Sequence, residues 1–217
     1  MGETKLAGFW LIIVGIIASY WAASTSAQQD IVNNAQQGIL TIPVAVFVVD
    51  VVDDVNGMSS QRTVQSMGRH FQQVNRVWSQ AGIQIDPVTV RRISVPENLL
   101  QGLIHGRGRG GIARFFRAIR HGEVDVGNIN NELIWTFFVR SLGGPNGLKP
   151  NGVNSLFVVD NPLNSDYRVT SHEIGHILGL HHTRYNVNTL LFPGSNGLRL
   201  NEAEKTVARY NAERILR

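Results

Sequence analysis

The chain has 217 residues and no cysteine, which excludes disulfides, thiolate metal ligands and a cysteine nucleophile together. With 43% hydrophobic residues it is long enough to bury one substantial core. The formal charge is +4 and the pI near 9.8, but no recognisable nucleic-acid module accompanies this basicity, so nucleic acid is not an expected partner.

Along the chain, Lys5 precedes an apolar run over residues 6–23, followed by the small residues Ser24, Thr25, Ser26 and Ala27. That is the layout of a secretory signal with a cut after Ala27, so an exported protein is expected: secreted, periplasmic or extracellular. The run is also close to spanning length, which keeps an uncleaved N-terminal membrane anchor as the alternative. A polar linker fills 28–38. Residues 39–52 (ILTIPVAVFVVDVV) are rich in β-branched side chains and predict a central strand. Asp53, Asp54, Asn56 and Gly57 mark the turn after it. Asp50, Asp53 and Asp54 could bind calcium, although a turn of solvated acids is the default reading. Ser59 or Ser60 is placed to cap a helix reaching Gln80, with Val64, Met67, Phe71, Val74 and Trp78 at steps of three and four, and Gly82 ends it.

A second strand is predicted over 83–93, where Pro87 indicates an edge or a bulge. One or two short helices are predicted between Pro96 and His121. Arg107, Arg109, Arg114, Arg117 and Arg120 lie there, interleaved with Ile112, Phe115, Phe116 and Ile119. This pattern describes a surface helix with an apolar inner face and a solvated arginine face, with binding of acidic substrates, anionic lipid or nucleic acid as the lesser alternative. Further strands are expected over 133–139 and 156–160, separated by a loop dense in turn residues at 143–152. A helix over 167–180, a turn-rich stretch at 186–197 and a C-terminal helix over 201–216 complete the order. Strands interleaved with about three main helices predict an α+β domain over 39–217, with a mixed sheet packed on helices.

Residues 172–182 read His-Glu-Ile-Gly-His-Ile-Leu-Gly-Leu-His-His and carry the chemistry. His172 and His176 stand four apart, on one helix face about 5–6 Å from each other, and can aim two ring nitrogens at one ion. A third ligand one turn further would run along the helix axis and away from the ion. Gly179 tolerates the left-handed conformation that ends helices, so the chain can turn and bring back His182. Glu173 lies one residue round from His172, near the position left open. A bare HExxH arises by chance in on the order of one chain per hundred of this length, and the added glycine and histidine lower that to roughly one in 10⁵. His181 does not fit the spacing and is expected to face solvent.

This extended pattern resembles the signature of the metzincin zinc endopeptidases, and the order of elements is similar to the small bacterial, matrixin-like members. The resemblance implies a twisted, roughly five-stranded sheet with one antiparallel edge strand above a cleft, and extended peptide pairing with that edge. By likeness, residues 143–154 and the strand after them form the upper rim. It also implies zinc as the cofactor, held by His172, His176 and His182, a protein or peptide as the substrate, and Glu173 as the catalytic base. Members of the family carry a methionine turn downstream of the third histidine. Here methionine stands only at positions 1, 58 and 67; residues 188–193 (NTLLFP) look like that turn, with Leu191 in the methionine's place. A swap of this kind, apolar and similar in volume, usually costs under about 1.5 kcal/mol. Tyr185 is misplaced for an additional ligand. A cysteine switch is ruled out by composition, and Asp30 is read as a linker residue. The expected activity is peptide hydrolysis by a monomer. The alternative is a metzincin-like module that binds zinc or peptide without useful turnover.

Overall fold

The computed structural model describes residues 38–105, 109–128 and 133–217. The expectations for the leader, for linker residues 28–37 and for Arg107 lie outside them. Residues Leu40–Arg217 form a compact unit of their own. In chain order its elements are β1 (Leu40–Val51), α1 (Ser66–Trp78), β2 (Ile83–Val95), α2 (Glu97–His105), α3 (Arg109–Arg120), β3 (Ile134–Val139), β4 (Gly147–Leu148), β5 (Ser155–Val159), α4 (Asp166–Ile177) and α5 (Glu202–Ile215), with a single 3₁₀ turn at Ser79–Ala81 after α1.

The five strands make one mixed sheet in the order β2-β1-β3-β5-β4. β1 is parallel to β2 and β3, and β3 to β5, while β4 runs antiparallel at the edge beyond β5. β1 is apolar on both faces because both are covered, as parallel strands require. Ile42, Val44, Val46 and Val48 meet the core shared with α1, α4 and α5. Ala45, Phe47, Val49 and Val51 meet the core shared with α2 and α3. On the second face Phe47, Phe137 and Phe157 are register partners on three adjacent strands and stack at 5.0 Å spacing. Phe115 of α3 closes over Phe137 and Phe157 edge-on at 5.3 and 5.4 Å, a geometry the ring quadrupoles favour. The arginine segment is therefore the surface helix expected: Phe115, Ala118 and Ile119 are buried while Arg114, Arg117 and Arg120 are exposed.

Several boundaries differ from the sequence expectation. The helix expected to start at a serine cap begins at Ser66, with no side-chain cap bond. Ser60 is instead buried, its hydroxyl donating to Asp160 Oδ1 at 2.6 Å. Pro87 lies both on an edge strand and at a bulge, since the β1–β2 register shifts between Val44 and Ala45. Two short helices, α2 and α3, stand where one or two were expected, giving five helices among the described residues. The loop at 143–152 contains β4, which sequence periodicity could not reveal because two residues cannot display an alternation. Among the described residues no helix is long and apolar enough to cross a membrane.

A buried polar network fixes α4 against the sheet. Arg62 donates to Asp166 Oδ2 at 2.7 Å and to the carbonyls of Val159 and Asp160 at 3.1 and 2.7 Å. His70, which the periodicity of α1 did not single out, is buried and sits between Asp166, 3.3 Å from Nδ1, and the Thr170 hydroxyl, 2.8 Å from Nε2. These contacts, His70 first, hold the Asp166 carboxyl well below the usual carboxylate range. A depressed carboxyl stabilises the fold above its unfolded pKa, and that contribution fades as pH falls towards the folded value. Asp166→Asn should therefore lower the urea midpoint at pH 7, and the gap from wild type should narrow progressively below about pH 4. Denaturation curves collected across that range check it.

Candidate metal centre

α4 carries His172 and His176 one turn apart, and the chain reverses after it. Leu178 caps the helix and Gly179 follows at φ 79°. The left-handed turn is one a side chain would strain, and a Cβ at Gly179 would stand 2.6 Å from Asn211 Nδ2, so that amide would have to move. That amide, from α5, donates to the Leu178 carbonyl at 3.1 Å and satisfies a terminal acceptor of α4. The turn returns His182 to the other two histidines, as its spacing indicated.

The three Nε2 atoms lie 3.0, 3.2 and 3.2 Å apart. The Nδ1 atoms point the opposite way in the two helical rings. His172 Nδ1–H donates to the Leu190 carbonyl at 2.8 Å, and His176 Nδ1–H to the Leu180 carbonyl at 2.9 Å. A carbonyl can only accept, so each of these rings must carry its proton on Nδ1 if it is neutral, leaving Nε2 as a bare lone pair. The Nε2 atoms of His172 and His176 therefore cannot bond each other, and their close approach is unfavourable unless a cation lies among them.

The residues fit such a cation. Tetrahedral zinc with nitrogen ligands at 2.0–2.1 Å separates those nitrogens by about 3.3 Å, close to the spacings here. Burial pushes the His172 pKa down to about 4 and also lowers those of His176 and His182, so all three rings are neutral at pH 7. Exposure rises from His172, which is buried, through His176 to His182, which is exposed. The cluster thus opens to solvent on one side, where a fourth ligand can enter. Among the described residues this is the only convergent group of three or more histidine or carboxylate donors. Asp54 instead accepts from the amides of Met58 and Ser59 at 2.6 and 2.9 Å, and Asp50 pairs with Arg92. His181 is exposed, and Tyr185 fully so; neither joins the donor group.

Glu173 is buried against the edge strand. A Cβ at Gly147 would stand 2.8 Å from Glu173 Oε1 and 2.7 Å from Val169 Cγ1, so glycine in β4 makes the room that the carboxylate occupies. Burial raises its pKa to about 7, opposed by the Lys149 backbone amide, which hydrogen-bonds it, and by the charge of Arg168. A nearby divalent cation would favour the ionised form.

Residues 188–193 form a turn that packs against the histidine-bearing helix. Leu191 is fully buried, its two methyl carbons 3.4 and 3.5 Å from where a Gly175 Cβ would lie. Leu191 thus packs beneath the helical turn between His172 and His176, as its position predicted. The supports that sequence reasoning missed are mostly backbone groups: the carbonyls of Leu180 and Leu190 and the amide of Lys149. No side-chain pattern announces them. Gly147 and Asn211 give no local signal either.

No family model and no curated protein matches the chain. A chain from a solved structure of a chaperone–substrate complex is similar at 14% identity with a TM-score of 0.51, covering 82% of this chain and 34% of that one. The present chain thus spans about a third of the length of that protein. At such low identity the likeness concerns the fold alone.

If Leu191 supports the ligands by packing, Leu191→Met should cost under about 1.5 kcal/mol while Leu191→Ala should cost about 2–5 kcal/mol. Chemical denaturation of the metal-free protein measures both.

Proposed function

We propose that this protein is a metzincin-like zinc endopeptidase that hydrolyses peptide bonds with Glu173 as general base. The observation that carries the reading is the convergence of three neutral imidazoles on one point, two of them locked by Nδ1–carbonyl bonds, beside a buried carboxylate. His172, His176 and His182 would hold zinc through Nε2. When bound, zinc supplies a Lewis acid that acidifies a water and polarises the scissile carbonyl.

Glu173 has the complementary task. Its carboxylate takes a proton from the attacking water and passes that proton to the leaving amine. A buried carboxylate beside the ligands, held in the ionised form by the cation, can accept that proton and then release it within one turnover. The solvent-facing side at His182 admits substrate, and β4, the antiparallel edge strand directly over Glu173, offers backbone groups to an extended peptide. Gly147 keeps the carboxylate close to that edge, so base and bound backbone would be neighbours. The expected export of the protein would place this activity outside the cytoplasm.

A zinc- or peptide-binding module without turnover is the second reading, favoured by Leu191 where the family has methionine. It gives no reason for Glu173, whose buried carboxyl has to be accommodated by a glycine in the facing strand. A purely metal-holding site would place an apolar side chain there at less desolvation cost.

Glu173→Gln should retain one equivalent of zinc after dialysis and lose cleavage of a quenched peptide library by at least about 100-fold. His182→Ala should lose zinc in the same dialysis, measured by atomic absorption. A chelator should abolish wild-type cleavage, and added zinc should restore it. Wild-type protein that takes up no metal, or a Glu173→Gln variant with near-full turnover, would overturn the assignment.

A further inference from the structure

Arg168 sits one helical turn before His172 on α4 and is only 4% exposed. Its Nη2 donates to two carbonyls of a single turn, Leu190 at 2.8 Å and Phe192 at 2.6 Å. The Leu190 carbonyl is the same acceptor that takes the His172 Nδ1–H at 2.8 Å. Between them, the Leu191 carbonyl accepts from the Thr183 amide at 3.1 Å, the residue directly after His182. All three consecutive carbonyls of residues 190–192 are therefore engaged, two by Arg168, one of those shared with the most buried histidine, and the third by the residue that follows the most exposed one.

This arrangement goes further than an ordinary structural arginine needs to. A buried cation close to three imidazoles works against binding a second cation, and the Arg168 Nε is buried with no partner. A neutral or apolar residue would fill the site at lower desolvation cost. What arginine adds is a fixed, two-pronged grip from the metal-binding helix onto the turn that carries the acceptor of that helix's own histidine. With Arg168 and His172 on one helix face and one carbonyl between them, the position of the Leu190 oxygen is determined by the helix and not by the apolar contacts of Leu191 alone.

We infer that Arg168 is a positioning residue for the metal centre: its guanidinium clamps the turn at residues 190–192 onto α4, fixes the oxygen that orients His172, and holds the segment that presents His182. Leu191 fills space beneath the ligands, and Arg168 sets their angles. The inference rests on the proposed zinc site but adds a separate claim, that ligand geometry depends on a side chain that touches no metal.

The test uses the full chain and metal alone as the probe. Zinc affinity is measured by competition with a chromophoric chelator, and the ligand geometry is read from the visible absorption spectrum of the cobalt(II)-substituted protein. Arg168→Met should weaken zinc binding by about 10- to 100-fold, the usual effect of losing a group that orients a ligand, and should shift the cobalt spectrum. Arg168→Lys should restore part of both. Leu100→Ala, a core change in α2 on the opposite face of the sheet, should lower stability without altering zinc affinity or the cobalt bands. Folded Arg168 variants with wild-type affinity and an unchanged cobalt spectrum would overturn the inference while leaving the proposed site intact. Failure of both variants to fold would make the role structural and would also overturn it. Wild-type protein that binds neither metal would remove the proposed function and this inference together.

Discussion

Two imidazole nitrogens carrying lone pairs, Nε2 of His172 and of His176, do not come within 3.2 Å of each other unaided. The fold has to supply a restoring force for each ring, and here the force on the two helical rings is a hydrogen bond from Nδ1 to a backbone carbonyl. Those carbonyls belong to residues 180 and 190, both beyond the end of α4. The site is therefore governed by where the chain travels after its last helical histidine. Everything that fixes that path, from the turn at Gly179 to the packing of Leu191, also fixes the direction of the lone pairs.

That dependence explains a division of labour between the two faces of the sheet. The face covered by α2 and α3 is closed by stacked and edge-on phenylalanines and carries none of the histidine donors. The other face packs α1, α4 and α5, and polar side chains there repeatedly terminate elements they do not belong to. Asn211 of α5 caps α4. Arg209, also of α5, donates to the carbonyls of Ala81 and Gly82 at the end of the 3₁₀ turn. α5 is itself fixed by a capping box between Asn201 and Glu204. Helix ends leave several carbonyls without intrahelical partners, and here the C-terminal helix meets part of that demand for the helix bearing His172 and His176. The histidine-bearing helix α4 is thus held at its start by Arg62, His70 and Asp166 and at its end by α5.

The legibility of the chain follows from where its information resides. Side-chain spacing announced the histidine triad, the turn at Gly179, the central strand β1 and the amphipathic α3, because each is written in residue types at a fixed period. Ser60 misled: a serine before an apolar periodic segment has the form of a cap, but its hydroxyl found Asp160, 100 positions away in sequence, and tertiary contact overrode local preference. β4 was hidden for a related reason. Its pairing with Val158 and Phe157 is decided by the strand beside it, and its own two residues sit among turn formers. Arg168 occupies the middle ground. An arginine four residues before a metal-binding histidine is visible as a pattern, but its partners are carbonyls, which every residue type provides.

The position of Glu173 shows how little the motif alone determines. The sequence places a carboxylate one residue from His172, yet its buried setting comes from β4, through the absent side chain of Gly147 and the amide of Lys149. Substituting either of two neighbouring features would change different properties. A side chain at position 147 would push the carboxylate out of its slot, whereas displacing the Lys149 amide would remove the one donor that opposes its neutral form in the metal-free site. The edge strand therefore acts on the carboxylate from the same side on which a peptide would pair. A substrate backbone docking on β4 and the base that would act on it share a two-residue strand, and a shift of that strand moves both together. Under the proposed function, this coupling would give the shortest element of the sheet a direct hold on the chemistry.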